Sequence, residues 1–240
     1  MANTLMNAVT LFAPKVHYAS TFDSQFDAMT TWRANLECGC AGGTGDGDAP
    51  HVFAGYAEFM NINIGQHPIA DLLDSLSEDA LAFEELFEGD DVAPPLQDQF
   101  DDVPIHRVMI ITAVEIAEPL RGHDLEAWLV AEIIARMASP IDTLVLLHPH
   151  ALGPHASSAA DPTFYWQRCG LTPVEHQPHF LCATTAYTHL PNARNLLSPV
   201  GDVQITVPAA LIRVERPDSP RHTIMTGPQP QPVGLRLVRD

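Results

Sequence analysis

One stretch near the middle of the chain constrains the fold more than any other, because an apolar strand, an amphipathic helix and a second apolar strand follow one another directly. Residues Ile105 to Ile116 are almost continuously apolar, as is typical of a strand buried on both faces. Arg121 to Met137 carry a helical apolar stripe, and Ile141 to Leu147 form a short run rich in leucine and valine. This order predicts two neighbouring strands joined by a helix, and therefore an α/β fold.

The first hundred residues predict further strands and helices. Strands are indicated for Thr10 to Tyr18 and for His51 to Ile64. Between them, an N-cap at Asp23 and apolar residues at helical spacing predict a helix from Asp23 to Leu36, and the glycine-rich run from Gly39 to Pro50 predicts a loop. Helical segments are then expected to begin at Pro68 and at Ser77, followed by an acidic loop from Glu88 to Pro104.

The remainder of the chain predicts a helix that begins at Asp161 or Pro162 and ends at Gly170, and a strand from His179 to Thr185. Val203 to Val214 indicate extra strands, and the proline-rich segment from Ser219 to Pro232 is typical of a loose tail. We therefore divide the chain into a main domain, residues 1–200, and a C-terminal extension, residues 201–240.

The charge of the chain limits its partners. Thirty aspartates and glutamates against twelve lysines and arginines give a formal net charge of −18. This charge repels phosphate backbones and anionic lipid headgroups, which argues against nucleic acid and membrane surfaces. Two interpretations stay open: the acidity attracts a cationic substrate, or it only keeps the protein soluble.

The expected location is the cytoplasm. The N-terminus has no basic leader followed by a cleavage site, and no apolar run is long enough to span a bilayer. Four scattered cysteines in a chain of this size indicate a reducing compartment. Cys38 and Cys40 lie near His51 but lack a second ligand pair, so we predict no metal site.

The segment from Val108 to Gly170 resembles the centre of a GNAT domain, the fold of acetyl-CoA-dependent N-acetyltransferases. In that superfamily a buried strand leads through a turn into an Arg/Gln-x-x-Gly-x-Gly/Ala loop and a helix, matched here by Arg121 to Glu126. A second strand and an aromatic helix ending at Gly170 follow in the same order. The resemblance implies a mixed, mostly antiparallel sheet with splayed central parallel strands, flanked by helices.

The resemblance also implies a site for acetyl-CoA. In the family, strand amides bind pantetheine and polarise the thioester, and the loop and helix start hold the pyrophosphate. The positions that match in this chain are Val114, Ile116, Arg121, Gly122, His123, Asp124, Leu125 and Glu126.

This loop departs from the family pattern because Asp124 and Glu126 stand where glycine, or glycine or alanine, is expected. Glycine permits close approach of a phosphate, whereas a carboxylate repels it. Two alternatives are open. Either the carboxylates occupy the anion site from within, or they point outward and leave Arg121, Gly122 and His123 to hold the ligand.

The candidates for proton transfer are Glu115, His148 and Tyr165. Glu115 interrupts the apolar central strand, and His148 ends the next one, so either is a candidate general base. Many family members use as general acid a tyrosine four residues before the glycine, where this chain has Trp166. Tyr165 is adjacent, and the other interpretation is that Phe164, Tyr165 and Trp166 are all core aromatics.

Two functions follow from these observations. The first is transfer of an acetyl group from acetyl-CoA to an unidentified amine, which would be cationic if the acidity of the chain serves to attract a substrate. The second is a catalytically degenerate GNAT-shaped binding or regulatory module that no longer uses acetyl-CoA. A homodimer is left open in both cases.

Overall fold

The described chain is built around one main sheet with helices on both faces. The computed structural model describes residues 8–20, 27–41, 50–101, 103–149, 152, 162–214 and 233–238. The strands are β1 (Ala8–Ser20), β2 (Met29–Ala41), β3 (His51–Asn63), β4 (Phe87–Glu88), β5 (Asp91–Val92), β6 (Arg107–Ile116), β7 (Thr143–Leu147), β8 (Thr172–Pro173), β9 (Leu181–Thr184), β10 (Ile205–Pro208), β11 (Arg213–Val214) and β12 (Arg236–Val238). The helices are α1 (Ile69–Asp74), α2 (Glu78–Leu81), α3 (Pro94–Asp98), α4 (Leu125–Met137), α5 (Pro162–Trp166) and α6 (His189–Leu197).

The main sheet has the strand order β10-β1-β2-β3-β6-β7-β9-β8. Neighbours along this path are antiparallel except β6 and β7, which are parallel. Helix α4 packs on one face of the sheet, and α1, α2 and α3 pack on the other. The expectation of an α/β protein with a mostly antiparallel mixed sheet flanked by helices is therefore confirmed.

The helix predicted from Asp23 to Leu36 is wrong for the residues that the structure describes. Met29–Ala41 form strand β2, which pairs with β1 along one edge and with β3 along the other. Four residues alternate on the buried side of this strand: Ala34, Leu36, Cys38 and Cys40. This period of two, reinforced by pairing on both edges, prevails over the helical spacing near the start of the segment.

The central prediction is confirmed: β6 and β7 are parallel neighbours and α4 connects them. The apolar stripe of α4 is buried against the face of β6 that carries Met109 and Ile111. Asp124, not Arg121, is the residue that precedes the first turn of α4, and residues Glu118–Leu120 form a short 3-10 turn before it.

Several smaller expectations need adjustment. Ser77 caps α2 as expected, accepting a hydrogen bond from the Ala80 amide at 3.1 Å, but α2 ends at Leu81. The segment predicted as an acidic loop after residue 88 contains β5 and α3. Residues 39–41, predicted as the start of a loop, are the end of β2. Residues 42–49 of that predicted loop, Asp23 and the tail from Ser219 to Pro232 lie outside the described residues.

The C-terminal region adds strands to the same sheet. Strand β10 pairs with β1, and β12 pairs with the first residues of β3, in line with β6. Strands β10 and β11 lie within Val203 to Val214, where the sequence predicts extra strands, whereas β12 lies beyond that range and is not predicted. None of the helices in the described ranges combines the length and the apolar character that crossing a membrane requires.

Candidate functional site

The pairing of the two parallel strands stops abruptly at the centre of the sheet. Five residue pairs join β6 to β7, from Arg107↔Thr143 to Ile111↔Leu147. The next residue of β6, Thr112, is the extra residue of a bulge against β3, and its hydroxyl donates to the Glu58 carbonyl at 3.2 Å. Beyond the bulge β6 stays on β3, and within the described chain it makes no further pair with β7.

The main chain of β6 beyond the bulge turns two amides toward the β7 side. The Ala117 amide donates to the Ala54 carbonyl of β3 at 2.8 Å. Because successive residues of a strand direct their polar groups to opposite edges, Val114 and Ile116 face away from β3. The Ile116 carbonyl accepts a 3.0 Å hydrogen bond from Nε of Arg121 on that side. Val114 and Ile116 therefore direct their amides away from β3 in the last three residues of β6, before the turn that leads to α4.

The loop before α4 contains two residues in the left-handed backbone region. Gly122 has φ of 83° and Asp124 has φ of 62°. Glycine reaches this region without strain, whereas aspartate adopts it at some cost. Asp124 thus adopts a glycine-like backbone at a position where the family pattern has glycine.

The Asp124 side chain forms an ion pair with Arg168, which follows α5. The two groups meet end to end, and Nη2 of Arg168 lies 2.8 Å from Oδ2 of Asp124. Asp124 makes no side-chain cap to the first turn of α4. The pair raises the pKa of the Arg168 guanidinium, chiefly through these hydrogen bonds.

Glu126 lies in the first turn of α4 and is only 3% exposed. Its Oε2 accepts a 3.1 Å hydrogen bond from the Tyr165 hydroxyl. Burial raises the pKa of Glu126, and hydrogen bonds from its own amide and from Tyr165 oppose that rise. Burial and the nearby Glu126 carboxylate also raise the pKa of Tyr165. The carboxylate of Glu126 is therefore buried inside the protein at the start of α4. The alternative in which both acidic side chains point to solvent is wrong.

The three consecutive aromatic residues of α5 lie in different environments. Trp166 is fully buried in the core, as the core interpretation expects, whereas Phe164 is 67% exposed and does not fit it. Tyr165 projects toward α4 instead of toward the open edge of β6. Gly170 ends the segment with φ of 86°, as the sequence predicts.

Glu115 lies on the face of β6 opposite to α4, because Val114 and Ile116 on either side of it belong to the α4 core. Its Oε2 accepts a 3.1 Å hydrogen bond from the Tyr56 hydroxyl, and its Oε1 accepts one from the Val233 amide at 3.2 Å. Arg33 lies over the Tyr56 ring at 3.7 Å. As a base, Glu115 would have to exchange one of these donors for the substrate amine.

His148 follows the last residue of β7 and lies on the same face of the sheet as Glu115. Its ring contacts Phe180 at 4.9 Å and His179 at 5.8 Å between centroids. Nε2 of His179 lies 2.7 Å from Oε1 of Glu85. The sequence does not predict this His179–Glu85 pair, and its one signal is the position of His179 just before β9.

The described residues contain no group of three or more histidine, cysteine or acidic side chains placed to hold a metal ion. Cys38 and Cys40 are buried in the core, and burial is the main reason that the pKa of the Cys38 thiol is raised to about 12.

Searches against protein-family models, curated proteins and solved structures found no match for the chain. Any function proposed for the chain therefore depends on the residues and the geometry described above.

Two buried glutamates of α4 should respond to pH in opposite directions. Burial raises the pKa of Glu126, so its ionisation destabilises the fold as pH rises above the ordinary glutamate range. Burial alone would raise the pKa of Glu132, but hydrogen bonds from Arg194 and Arg136 outweigh burial and lower it. The ionised Glu132 therefore stabilises the fold, and this stabilisation is lost as pH falls. We expect the stability of Glu126→Gln relative to the native protein to increase as the pH rises above the ordinary glutamate range. Glu132→Gln should lose roughly 1 to 2 kcal/mol at pH 7 and less at low pH.

Urea unfolding at a series of pH values measures both differences, and each variant is the control for the other. Parallel pH trends in the two variants would contradict the assigned environments.

Proposed function

We propose that this chain is a GNAT-fold N-acyltransferase that transfers an acetyl group from acetyl-CoA to an amine. The observation that carries the proposal is the edge of β6 beyond the bulge, where the amides of Val114 and Ile116 face away from β3 at the end of the strand. Such an edge suits an extended pantetheine chain, and fixed amides polarise a thioester carbonyl without any side chain. The proposal includes a cleft between β6 and β7, which the donor would enter where the two strands separate.

The acceptor amine is proposed to approach from the face that carries Glu115 and His148. Acetyl-CoA supplies the activated acyl group. One of the two side chains would take a proton from the amine, which both a carboxylate and an imidazole can do. Tyr165 donates to Glu126, so the thiolate would leave without help from that hydroxyl. A cationic amine suits a chain with a net charge of −18.

A cytoplasmic location is part of the proposal, since acetyl-CoA is used there and Cys38, Cys40, Cys169 and Cys182 are free thiols.

A second candidate function is a GNAT-shaped binding module that does not use acetyl-CoA. It is favoured by the internal contacts of the loop, in which Asp124 pairs with Arg168 and Glu126 accepts from Tyr165. These contacts occupy the place where the family holds the pyrophosphate. If the chain is an enzyme, the same contacts weaken the binding of acetyl-CoA but leave the β6 edge available for pantetheine.

The proposal is tested by measuring acetyl transfer by mass spectrometry, with acetyl-CoA and a panel of small cationic amines. We expect slow transfer at neutral pH, reduced roughly tenfold or more in Glu115→Gln or in His148→Ala, whichever residue is the base. Glu58→Gln is the matched control, since Glu58 is on the neighbouring strand and pairs with Arg33. Absence of transfer in the native protein at saturating acetyl-CoA would favour the binding module.

A further inference from the structure

A pocket unrelated to the β6 edge lies between α4 and α6, at the C-terminal half of α4. Its volume is about 240 Å³. Its lining residues Ala131, Ile134, Cys169 and Leu190 are buried, and the others lie at its mouth: Ala135, Ala138, Pro140, Thr185, Pro191 and Arg194. An engineered apolar cavity of about 150 Å³ binds benzene, so this pocket has room for a small organic molecule.

The pocket exists because the facing surfaces of the two helices carry small residues. Ala131 and Ala135 are four residues apart on one side of α4, and Ala138 follows the last residue of the helix. Pro191 stands opposite in the first turn of α6 and cannot extend a long side chain into the gap. The lining is therefore apolar apart from the Thr185 hydroxyl, the Cys169 thiol and the Arg194 guanidinium.

Arg194 gives the mouth of the pocket a positive charge. Its Nε and Nη2 donate to Glu132 at 2.8 and 3.2 Å, and Arg136 donates to the same carboxylate at 3.1 Å. Two guanidinium groups on one carboxylate leave a net charge of one positive unit in this cluster. A guanidinium has five N–H donors, so Arg194 can accept an anion while it keeps its contacts with Glu132.

We propose that this pocket binds a small monocarboxylate with an apolar chain about the size of hexanoate. The chain occupies the floor formed by Ala131, Ile134 and Leu190, and the carboxylate meets Arg194 at the mouth. The inference is independent of acetyl transfer, because none of these residues belongs to the β6 edge or to the loop before α4.

The test is a titration of the ¹⁵N-labelled protein with hexanoate, followed through its amide NMR spectrum. We expect saturable shifts of the Ala131, Ala135 and Leu190 amides, with a dissociation constant of roughly 0.1 to 1 mM. Hexan-1-ol and hexylammonium have the same chain without the carboxylate, and each should bind at least about tenfold more weakly. Shifts confined to other regions, no saturation, or equal binding of hexan-1-ol would overturn the proposal.

Two variants locate the carboxylate. Arg194→Gln should weaken hexanoate about tenfold or more, whereas Arg136→Gln, which also removes one partner of Glu132 but does not line the pocket, should change it less than about twofold. Ala135→Leu fills the exposed mouth and should reduce binding about tenfold or more without unfolding the protein. Equal losses in the two arginine variants, or unchanged binding in Ala135→Leu, would place the ligand elsewhere and overturn the assignment.

Discussion

Replacement of Asp124 and Glu126 together by glycine should tighten acetyl-CoA binding by roughly tenfold to several-hundredfold. A carboxylate about 4 Å from a phosphate costs about 1 kcal/mol in water and about 4 kcal/mol at an effective dielectric constant of 20. Loss of Asp124 also releases Arg168, whose guanidinium suits a phosphate group. The positive φ of residue 124 is compatible with glycine, so the loop backbone should persist. Isothermal titration of both proteins measures the ratio.

The control must remove two negative charges elsewhere. Glu78→Gln with Asp79→Asn does this in the first turn of α2, on the opposite face of the sheet from α4. Its effect should stay within about twofold at physiological salt, because charges farther apart than about 8 Å are largely screened. High salt should also narrow the gap between the native protein and the double glycine variant. An equal gain in the α2 control would mean that net charge, not the loop, governs binding.

Gly55→Ala should lower the free energy of unfolding by roughly 2 to 4 kcal/mol. A Cβ atom at Gly55 would collide with the carbonyl oxygen of Glu115 and would lie 2.9 Å from Cα of Ile116. Both are backbone atoms of β6, so relief requires the two strands to separate at the end of their pairing. The same shift would displace the Ile116 amide that the proposed thioester site uses.

Urea denaturation measures this change, and Gly234→Ala is the matched control. No heavy atom lies within 4 Å of a Cβ built at Gly234, so its effect should be within about 0.5 kcal/mol of the native value. A Gly55→Ala variant as stable as the Gly234→Ala variant would contradict the close approach of β3 and β6.

The parts of the fold that the sequence predicts are those with a strong local signal. The apolar runs of β6 and β7 and the stripe of α4 indicate their own secondary structure, and their succession indicates the parallel pair. The sequence does not predict strand β2, because the first residues of the strand also fit a helical spacing. The alternation of Ala34 and Leu36 with polar, half-buried neighbours is the better guide.

The site was only partly predictable, because its decisive contacts join distant parts of the chain. The carboxylates that replace glycine in the loop are visible in the sequence, but their partners Arg168 and Tyr165 lie 44 and 39 residues away. Glu115 is a conspicuous polar residue in an apolar strand, yet its contact with Tyr56 spans 59 residues. Helix and strand periodicity report which face a residue occupies and carry no information on which distant side chain it meets.

We propose that the β6 edge holds the pantetheine part of an acyl donor while the chain's own carboxylates, Asp124 and Glu126, close the phosphate end of the site. The most direct measurement compares binding of acetyl-CoA and S-acetylpantetheine, which lacks the nucleotide and its pyrophosphate, to the native protein. We predict that the two ligands bind with dissociation constants within about tenfold of each other, because the pyrophosphate gains little beside Asp124 and Glu126. Acetyl-CoA binding about a hundredfold tighter than S-acetylpantetheine, or no binding of either ligand, would contradict the account.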